Sequence, residues 1–256
     1  MTVCGDLAIS GHWDGSLRGW NIATCGCDHV IRGHDAVVRC IVSWEQYLVT
    51  GFCGCTIKIW QVGGTGSWPC LGTIAVHTHV VWAMVAWQGR VISGSHDKKI
   101  CVSSIVSREL EATLDAHTDA VCALAVHRGK LLSTSHDNTI RVWLLGTWEQ
   151  VRVVRVSKHV PEVFSCQCLA ISGSKLLCGG ELDQDDDGRA EDDRDDVKKD
   201  FLRVLDYEAM SCEHTLLLDY DPNYLLSRRG EVWSWLYDGP VVVWGKAEQG
   251  EGGQGA

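Results

Sequence analysis

The chain has 256 residues, of which 45% are hydrophobic and 12 are Trp, and its formal net charge at pH 7 is −10. This acidic balance argues against a nucleic-acid partner, because binding to phosphates needs a basic surface. No run approaches the roughly 18 apolar residues of a membrane span, and no Lys/Arg-then-apolar leader follows Met1. We therefore expect no membrane partner and a cytoplasmic, or alternatively nuclear, location.

A short landmark recurs along the chain with a period of about 40 residues. Its fullest copy is Ser-Thr-Ser-His-Asp-Asn-Thr-Ile-Arg-Val-Trp at 133–143. Alignment on the last residue of that copy gives the series Trp20, Trp60, Ser103, Trp143, Leu205 and Trp244. A His lies 26 residues before three of these positions, as His34, His77 and His117, whereas His159 lies 46 residues before the fifth. The chain is therefore six units long, with an insertion in unit five.

The expected strands follow this period in chain order. Residues 7–10 are the second strand of unit one, whose first strand is absent, and units two to four cover 40–76, 82–116 and 122–158. Unit five starts at residue 165 and unit six covers 223–244, before a flexible Gly-rich tail at 246–256. In unit four, 131–135 and 139–143 are strands, the second because apolar and polar residues alternate. The first hairpins turn at Gln88-Gly89, Arg128-Gly129, Gly173-Ser174 and Arg229-Gly230, since Gly supplies the positive φ of a tight turn.

The His follows a small residue, as in Gly33-His34, and an Asp lies six residues before the Trp position in four units, as Asp14, Asp97, Asp137 and Asp238. These two motifs together resemble the WD-repeat family, whose units form four-stranded blades of a β-propeller. The resemblance covers most of residues 5–245 and implies an all-β propeller with six recognisable blades over 1–245. The short first hairpin also resembles the propellers attached to myosin heavy chain kinases and RING-type ubiquitin ligases.

Two interpretations of ring closure stay open. The chain is either a six-bladed ring with one improvised blade, or a fragment of a seven-bladed propeller. Both follow from the incomplete terminal blades, because the family closes its ring by pairing strands from the two termini.

Recurring Ser, His and Asp residues suggest a catalytic triad, but the set repeats with the blades, whereas an enzyme needs one site. The resemblance implies instead a buried hydrogen-bond network that braces each blade. Unit two has Gly54 in place of Asp, unit three has Ser103 in place of Trp, and only unit four has the complete set. The expected network residues are Asp14, Trp20, His34, His77, Ser93, Asp97, His117, Ser133, Asp137 and Trp143.

An acidic insertion at 184–200 separates the second and third strands of unit five. Like-charge repulsion without apolar content predicts a solvated loop. Asp183, Asp185 and Asp187, followed by Gly188, match the first half of a calcium loop, but Arg194 stands where the bidentate Glu is needed. We expect a plain acidic loop, with calcium binding as the alternative.

The 13 cysteines include three Cys-x-Cys pairs. In a strand, the two cysteines of such a pair lie on the same face and could chelate a soft metal. Structural metal sites, however, more often have a two-residue gap between their cysteines. We expect free thiols and no cofactor. The three pairs are Cys25/Cys27, Cys53/Cys55 and Cys166/Cys168.

The resemblance also implies a binding face at the top of the ring. The residue before each turn Asp and the first residue of each inner strand crowd that rim, and Trp, Tyr and Arg are residues that anchor interfaces. The alternative for Trp82 and Phe164 is packing between blades. The candidate partner-binding residues are Trp13, Arg39, Trp82, His96, His136, Phe164 and Tyr237.

These observations predict a non-enzymatic scaffold that binds a protein or peptide on its top face. We expect a monomeric propeller within a larger complex, with substrate recognition in a ubiquitin-ligase or kinase assembly as the specific hypothesis. We also expect a partner with a basic segment that meets the acidic insertion. The alternative is an enzymatic or calcium-dependent propeller that uses the acidic loop.

Overall fold

The computed structural model describes residues 1–63, 67–115, 117–155, 163–172, 174–183, 199–210, 212–218, 222–228, 231–236 and 242–244. The chain divides into two units, Met1–Gln167 and Cys168–Ala256. The described residues of both units form antiparallel β-sheets, each built from strands that are consecutive in the chain. No helix in these ranges is long and apolar enough to cross a membrane.

The first unit contains four sheets of four strands. Sheet one consists of β1 (Thr2–Cys4), β2 (Leu7–Gly11), β3 (Ser16–Asn21) and β4 (Cys27–Arg32). Sheet two consists of β5 (Val38–Trp44), β6 (Tyr47–Phe52), β7 (Ile57–Gln61) and β8 (Cys70–Ile74). Sheet three consists of β9 (Val81–Trp87), β10 (Arg90–Ser95), β11 (Ile100–Ser104) and β12 (Leu110–Leu114). Sheet four consists of β13 (Val121–His127), β14 (Lys130–Ser135), β15 (Thr139–Leu144) and β16 (Gln150–Arg155).

The remaining strands form one four-stranded and one three-stranded sheet. Sheet five consists of β17 (Val163–Ser172), β18 (Lys175–Asp183), β19 (Lys199–Asp206) and β20 (Cys212–Leu218), and the second unit takes in all of it from Cys168 onward. Sheet six consists of β21 (Pro222–Arg228), β22 (Glu231–Leu236) and β23 (Val242–Trp244).

The core of the first unit lies between consecutive sheets, whose first strands are neighbours. Adjacent residues of β6 show this arrangement: Leu48 joins a buried cluster with Ile9 and Leu17 of sheet one, and Val49 joins one with Val81 and Val91 of sheet three. Successive side chains of a strand point to opposite faces. Both faces of a sheet are therefore buried, which is why the second strands are almost continuously buried.

The tight hairpin turns are confirmed where the structure describes them. Gln88 and Gly89 have φ of 45° and 75°, and Arg128 and Gly129 have φ of 46° and 75°. Two consecutive residues with positive φ give the turn whose twist matches that of the strands it joins. The other two expected turns include positions 173, 229 and 230, which lie outside the described residues.

The all-β architecture of four-stranded sheets at the repeat period is confirmed, and two strand assignments were wrong. Sheet one does have a first strand, because β1 pairs with β2 from Thr2 opposite Ile9 to Cys4 opposite Leu7. Three residues are too few to show an alternating pattern. The insertion is also shorter than expected, since Lys199 and Asp200 pair with Leu182 and Glu181.

Candidate functional site

Sheet four contains the complete hydrogen-bond network. The ring of His117 bonds Asp137 Oδ2 through Nδ1 at 2.8 Å and Ser133 Oγ through Nε2 at 2.8 Å. The indole Nε1 of Trp143 donates to the same Ser133 Oγ at 3.0 Å. Because Thr118 N also donates to Asp137 Oδ2, this series of hydrogen bonds connects the loop before β13 to the turn before β15.

Sheet three keeps most of this network without the Trp. His77 bonds Asp97 at 2.9 Å and Ser93 at 2.8 Å, as in sheet four. Ser103 replaces the Trp and is buried, and its hydroxyl has no hydrogen-bond partner among the described residues. Sheet three is therefore braced through His77 and Asp97, which also accepts from Thr78 N, without a contribution from the Trp position.

Sheet two lacks the carboxylate. His34 Nε2 bonds Thr50 Oγ1 at 2.7 Å, and Trp60 Nε1 donates to that hydroxyl at 2.8 Å. His34 Nδ1 is buried without a hydrogen-bond partner in the described chain. Burial, followed by the charge of Lys58, lowers the pKa of His34 to about 4, so its ring is neutral at physiological pH.

Sheet one builds a different brace, which the sequence interpretation missed. Trp20 Nε1 donates to Ser10 Oγ at 2.8 Å, and His12 Nε2 bonds the same hydroxyl at 2.9 Å. Asp14 accepts hydrogen bonds from the backbone and hydroxyl of Ser16. The histidine here comes from the sheet's own turn, so its position does not follow the repeat spacing.

The repetition of these groups favours a structural role. His77 and His117 are 7% and 6% exposed, which leaves little room for a substrate. Burial opposes the charge of Asp137, but hydrogen bonds from His117, Thr139 and Thr118 outweigh it and hold the pKa of that carboxyl well below its ordinary value. An anion fixed in this way orients its donors rather than exchanging protons near neutral pH.

Trp13, Arg39 and Trp82 form a cluster in the structure. The guanidinium carbon of Arg39 lies 4.6 Å from the ring centroid of Trp82 and 5.9 Å from that of Trp13. Both distances are within the range of cation–π attraction. Trp13 is 69% exposed and Trp82 is 37% exposed. We call these three residues the Trp-Arg-Trp surface.

Two β-bulges explain how Arg39 and Trp82 come to this surface. In sheet two, Val38 pairs with Phe52 and Cys40 with Gly51, so Arg39 is the extra residue. In sheet three, Trp82 is the extra residue between Val81 and Ala83. A bulge takes one residue out of the ladder and redirects its side chain.

A backbone contact fixes Trp13 beside the first bulge. The amide of Val38 donates to the carbonyl of His12 at 3.2 Å. Gly15 allows this approach, since its φ is 76° and a Cβ there would lie 2.2 Å from the His34 carbonyl oxygen. The turn that carries Trp13 is thus joined directly to the start of β5.

The other expected rim residues are placed as follows. The exposed ring of His96 packs against His79 with centroids 4.6 Å apart. His136 is half-buried, and its backbone amide donates to Ala120. The bulge residue of sheet four is Cys122, whose burial raises the pKa of its thiol to about 12. Phe164 lies in β17, but its side chain is outside the described part, as is all of Tyr237.

The alternative hypotheses of a calcium site in the insertion and a metal site at the cysteine pairs are not tested by the structure. Residues 184–198, with Asp185 and Asp187, lie outside the described chain, and Asp183 is the last residue of β18. Described cysteines such as Cys25, Cys27, Cys53 and Cys55 are free thiols. Among the residues that the structure describes, no group of three or more His, Cys, Asp or Glu is arranged to hold a metal.

Comparison with protein families identifies WD40 repeats in two stretches. The model of the WD domain, G-beta repeat, matches residues 23–61 and 108–143. Each match contains the outermost strand of one sheet and the first three strands of the next. The predicted WD-repeat resemblance is confirmed, whereas the narrower resemblance to kinase-attached and RING-attached propellers stays a prediction.

Three curated proteins match parts of the chain. The WD repeat-containing protein pop2 of Schizosaccharomyces pombe is 34% identical over 40% of this chain and 19% of its own length. The nuclear distribution protein PAC1-2 of Uncinocarpus reesii is 34% identical over 30% of the chain and 17% of its length. The CCR4-associated factor 4 homolog of Candida glabrata is 27% identical over 38% of the chain and 18% of its length. Each alignment therefore covers about a fifth of the relative.

Solved structures share the fold over most of the chain. A chain of a mitotic checkpoint complex aligns with a TM-score of 0.77 and 18% identity, over 94% of this chain and 71% of its own. U3-55K gives a TM-score of 0.73 at 21% identity, over 94% and 74%. The computationally designed protein Ika8 gives 0.68 at 22%, over 93% and 68%. These identities establish the fold alone.

Proposed function

We propose that this WD40-repeat β-propeller is a non-enzymatic module that binds a protein or peptide partner through its Trp-Arg-Trp surface. WD40 propellers are generally protein-interaction scaffolds and are typically non-catalytic. The observation that carries the proposal for this chain is the exposed arginine–aromatic stack of Trp13, Arg39 and Trp82.

The chemistry of this surface suits a partner backbone or polar side chain. The indole rings offer large apolar faces that lose little conformational entropy on binding. The guanidinium carbon of Arg39 lies over the rings of Trp82 and Trp13, and the Nε of Arg39 is buried without an acceptor in the described chain. A partner that supplies a hydrogen-bond acceptor to Arg39 and an apolar group to Trp13 would use both properties.

The acidic insertion of unit five adds a second element to the proposal. Residues 183–200 contain ten of the chain's acidic residues and four basic residues. We propose that a basic segment of the partner meets this insertion, because opposite charges speed and orient association. This element rests on the sequence alone.

The larger context of the chain is also a proposal. WD40 propellers generally bind proteins within complexes, which supports placing this propeller inside a multiprotein assembly. A ubiquitin-ligase or kinase assembly remains the specific form that we propose, with the propeller as its substrate-recognition part.

The test is a comparison of partners captured by wild type and by a variant that combines Arg39→Ala with Trp82→Ala. We expect captured partners to fall by at least tenfold, since truncating central aromatic and Arg residues commonly costs about 2 kcal/mol or more. Recovery of the same proteins in the same amounts would remove the proposal.

A matched control is Ile22→Ala combined with Val30→Ala. These residues are 52% and 61% exposed and lie in or beside the outermost strand of sheet one. Their truncation removes a comparable apolar area without touching the Trp-Arg-Trp surface. Both variants should show the wild-type circular dichroism spectrum, so that a loss of binding is separated from unfolding.

A further inference from the structure

A second polar site lies at sheet four, away from the Trp-Arg-Trp surface. A solvent-open cleft of about 430 Å³ is formed by the loop before β13, the turn before β15, and strands β15 and β16. Thr139 and Arg155 are paired across these two strands, and Arg141 is two residues further along β15. Both arginines therefore lie on one face of the sheet. The described residues that line the cleft are Thr118, Asp137, Asn138, Thr139, Arg141 and Arg155.

The guanidinium of Arg141 keeps most of its hydrogen-bonding capacity. Its side chain is 14% exposed, and one nitrogen donates to Gln150 Oε1 at 2.7 Å. Its Nε is buried and has no acceptor among the described residues. The nearest carboxylate oxygen, Asp137 Oδ2, is 3.8 Å away and already accepts from His117 and Thr118. Asp137 thus reduces the local charge without satisfying this donor.

Two further groups complete the site. Arg155 is exposed and adds a second cation, so two arginines face one aspartate and the lining has a charge of +1 on a chain of −10. Asn138 Oδ1 is buried without a donor in the described chain. The cleft is therefore lined by two arginines and contains a donor, Arg141 Nε, and an acceptor, Asn138 Oδ1, that have no hydrogen-bond partner among the described residues.

Two of the three other sheets of the first unit differ from sheet four at the equivalent positions. In sheet three, Cys101 takes the place of Arg141, and Asp115 follows the outermost strand. In sheet two, Lys58 takes that place and donates to the carbonyl of Gly33. Sheet one has the same pair of arginines. Arg18 takes the place of Arg141, and Arg32, which pairs with Ser16, takes the place of Arg155. The arginine pair is thus not a requirement of the blade.

We propose that this cleft is a binding site for a phosphate group, held by Arg141 and Arg155, with Asn138 accepting a hydrogen bond from the ligand beside the phosphate. Guanidinium groups match the oxygens of phosphate in geometry and charge. Monohydrogen phosphate carries an O–H for Asn138, and a phosphopeptide can offer a backbone N–H instead. The proposal is independent of the Trp-Arg-Trp surface.

The test is calorimetric titration of the full chain with two probes, inorganic phosphate and a capped Gly-phosphoserine-Gly peptide, at constant ionic strength. We expect one site per chain and at least tenfold weaker binding to Arg155→Gln, whose side chain is exposed and whose replacement leaves the fold intact. Arg152→Gln lies in the same strand on the opposite face and should bind as wild type does. Arg32→Gln should also bind normally.

The outcomes separate the sources of the phosphate. Peptide binding at least as tight as that of inorganic phosphate supports a phosphorylated partner, and binding of inorganic phosphate alone supports a small-ion site. Either result supports the cleft, provided that Arg155→Gln weakens it. Absence of binding to both probes, equal binding by Arg155→Gln and wild type, or loss of binding only in Arg32→Gln would overturn the proposal.

Discussion

The ring of Phe52 lies against the imidazole of His34, with centroids 4.2 Å apart, and fills the space into which a side chain at position 54 would extend. A Cβ on Gly54 would lie 2.1 Å from Phe52 Cε2. In sheet three the residues at these two positions are Ser95 and Asp97. Sheet two has therefore exchanged a carboxylate–imidazole hydrogen bond for an aromatic contact.

This exchange predicts strong coupling between positions 52 and 54. Gly54→Asp alone should destabilise the protein by about 2 kcal/mol through overpacking, and Phe52→Ser alone by about 3 kcal/mol through a cavity. The double variant should be at least about 2 kcal/mol more stable than the sum of the two losses, because the new carboxylate can bond His34 Nδ1. Urea unfolding of the four proteins measures this coupling, and simple additivity would contradict it.

His34 also predicts a pH dependence. Its pKa is lowered from 6.5 to about 4 in the folded chain, so the unfolded chain binds the extra proton between these values and stability rises with pH there. Stability is fully present above pH 6.5 and is lost as pH falls toward 4. His34→Gln should lower the slope of the unfolding free energy against pH near pH 5. The decrease should correspond to at most about one proton in the difference between the protons bound by the unfolded and folded chain. Parallel profiles for the variant and wild type would refute this role.

The sequence predicted the repeat but not all of the bracing within it. The period follows from spacing and the tight turns from their Gly residues, whereas the network of sheet four was implied by the resemblance to WD repeats. The brace of Trp20 by His12 was not predicted, since that His is outside the repeated positions. The role of Phe52 is hidden for the same reason: the sequence shows that an aspartate is missing, not what occupies its space.

The network of sheet four predicts a cooperative loss of stability. His117→Ala removes the hydrogen bonds of the ring to Asp137 and to Ser133 and leaves the buried Ser133 and Asp137 oxygens with fewer partners, so we expect a cost of about 3 kcal/mol and a lower melting temperature. Asp137→Ala should cost a similar amount, and the double variant should cost clearly less than the sum. Chemical denaturation of all four proteins tests this, and an unchanged stability of His117→Ala would exclude a structural network.

The candidate sites were predictable only in part. Trp13, Arg39 and Trp82 were implied as rim residues by the resemblance to WD repeats, but the contact of Arg39 with Trp82 depends on two bulges that no local pattern marks. The phosphate cleft was missed because it depends on strand register. A shift between Val142 and Trp143 sets Thr139 opposite Arg155, and a one-residue slip would place that arginine on the other face.

Calcium binding by the insertion can be tested directly. Asp183, Asp185 and Asp187 are spaced as calcium ligands, but Arg194 stands where a bidentate acid is required. We expect calorimetric titration with calcium to give no heat above the buffer blank. Saturable heat with one ion per chain would instead support the calcium-dependent alternative.

The insertion should contribute to partner binding and not to folding. The ladder between β18 and β19 extends to Leu182 opposite Lys199, so replacing residues 184–198 with Asn-Gly leaves a three-residue hairpin loop of a common length. We expect the melting temperature to stay within about 2 °C of wild type and the partner's association rate to fall severalfold at low salt, with a smaller difference at high salt because salt screens exposed charges. Stopped-flow kinetics at two salt concentrations measures the association rate and its dependence on salt.

A control that keeps the length of the insertion but replaces its acids with Ser and Gln should behave as the shortened chain does. A rate unchanged by either replacement would mean that the partner does not meet these acids.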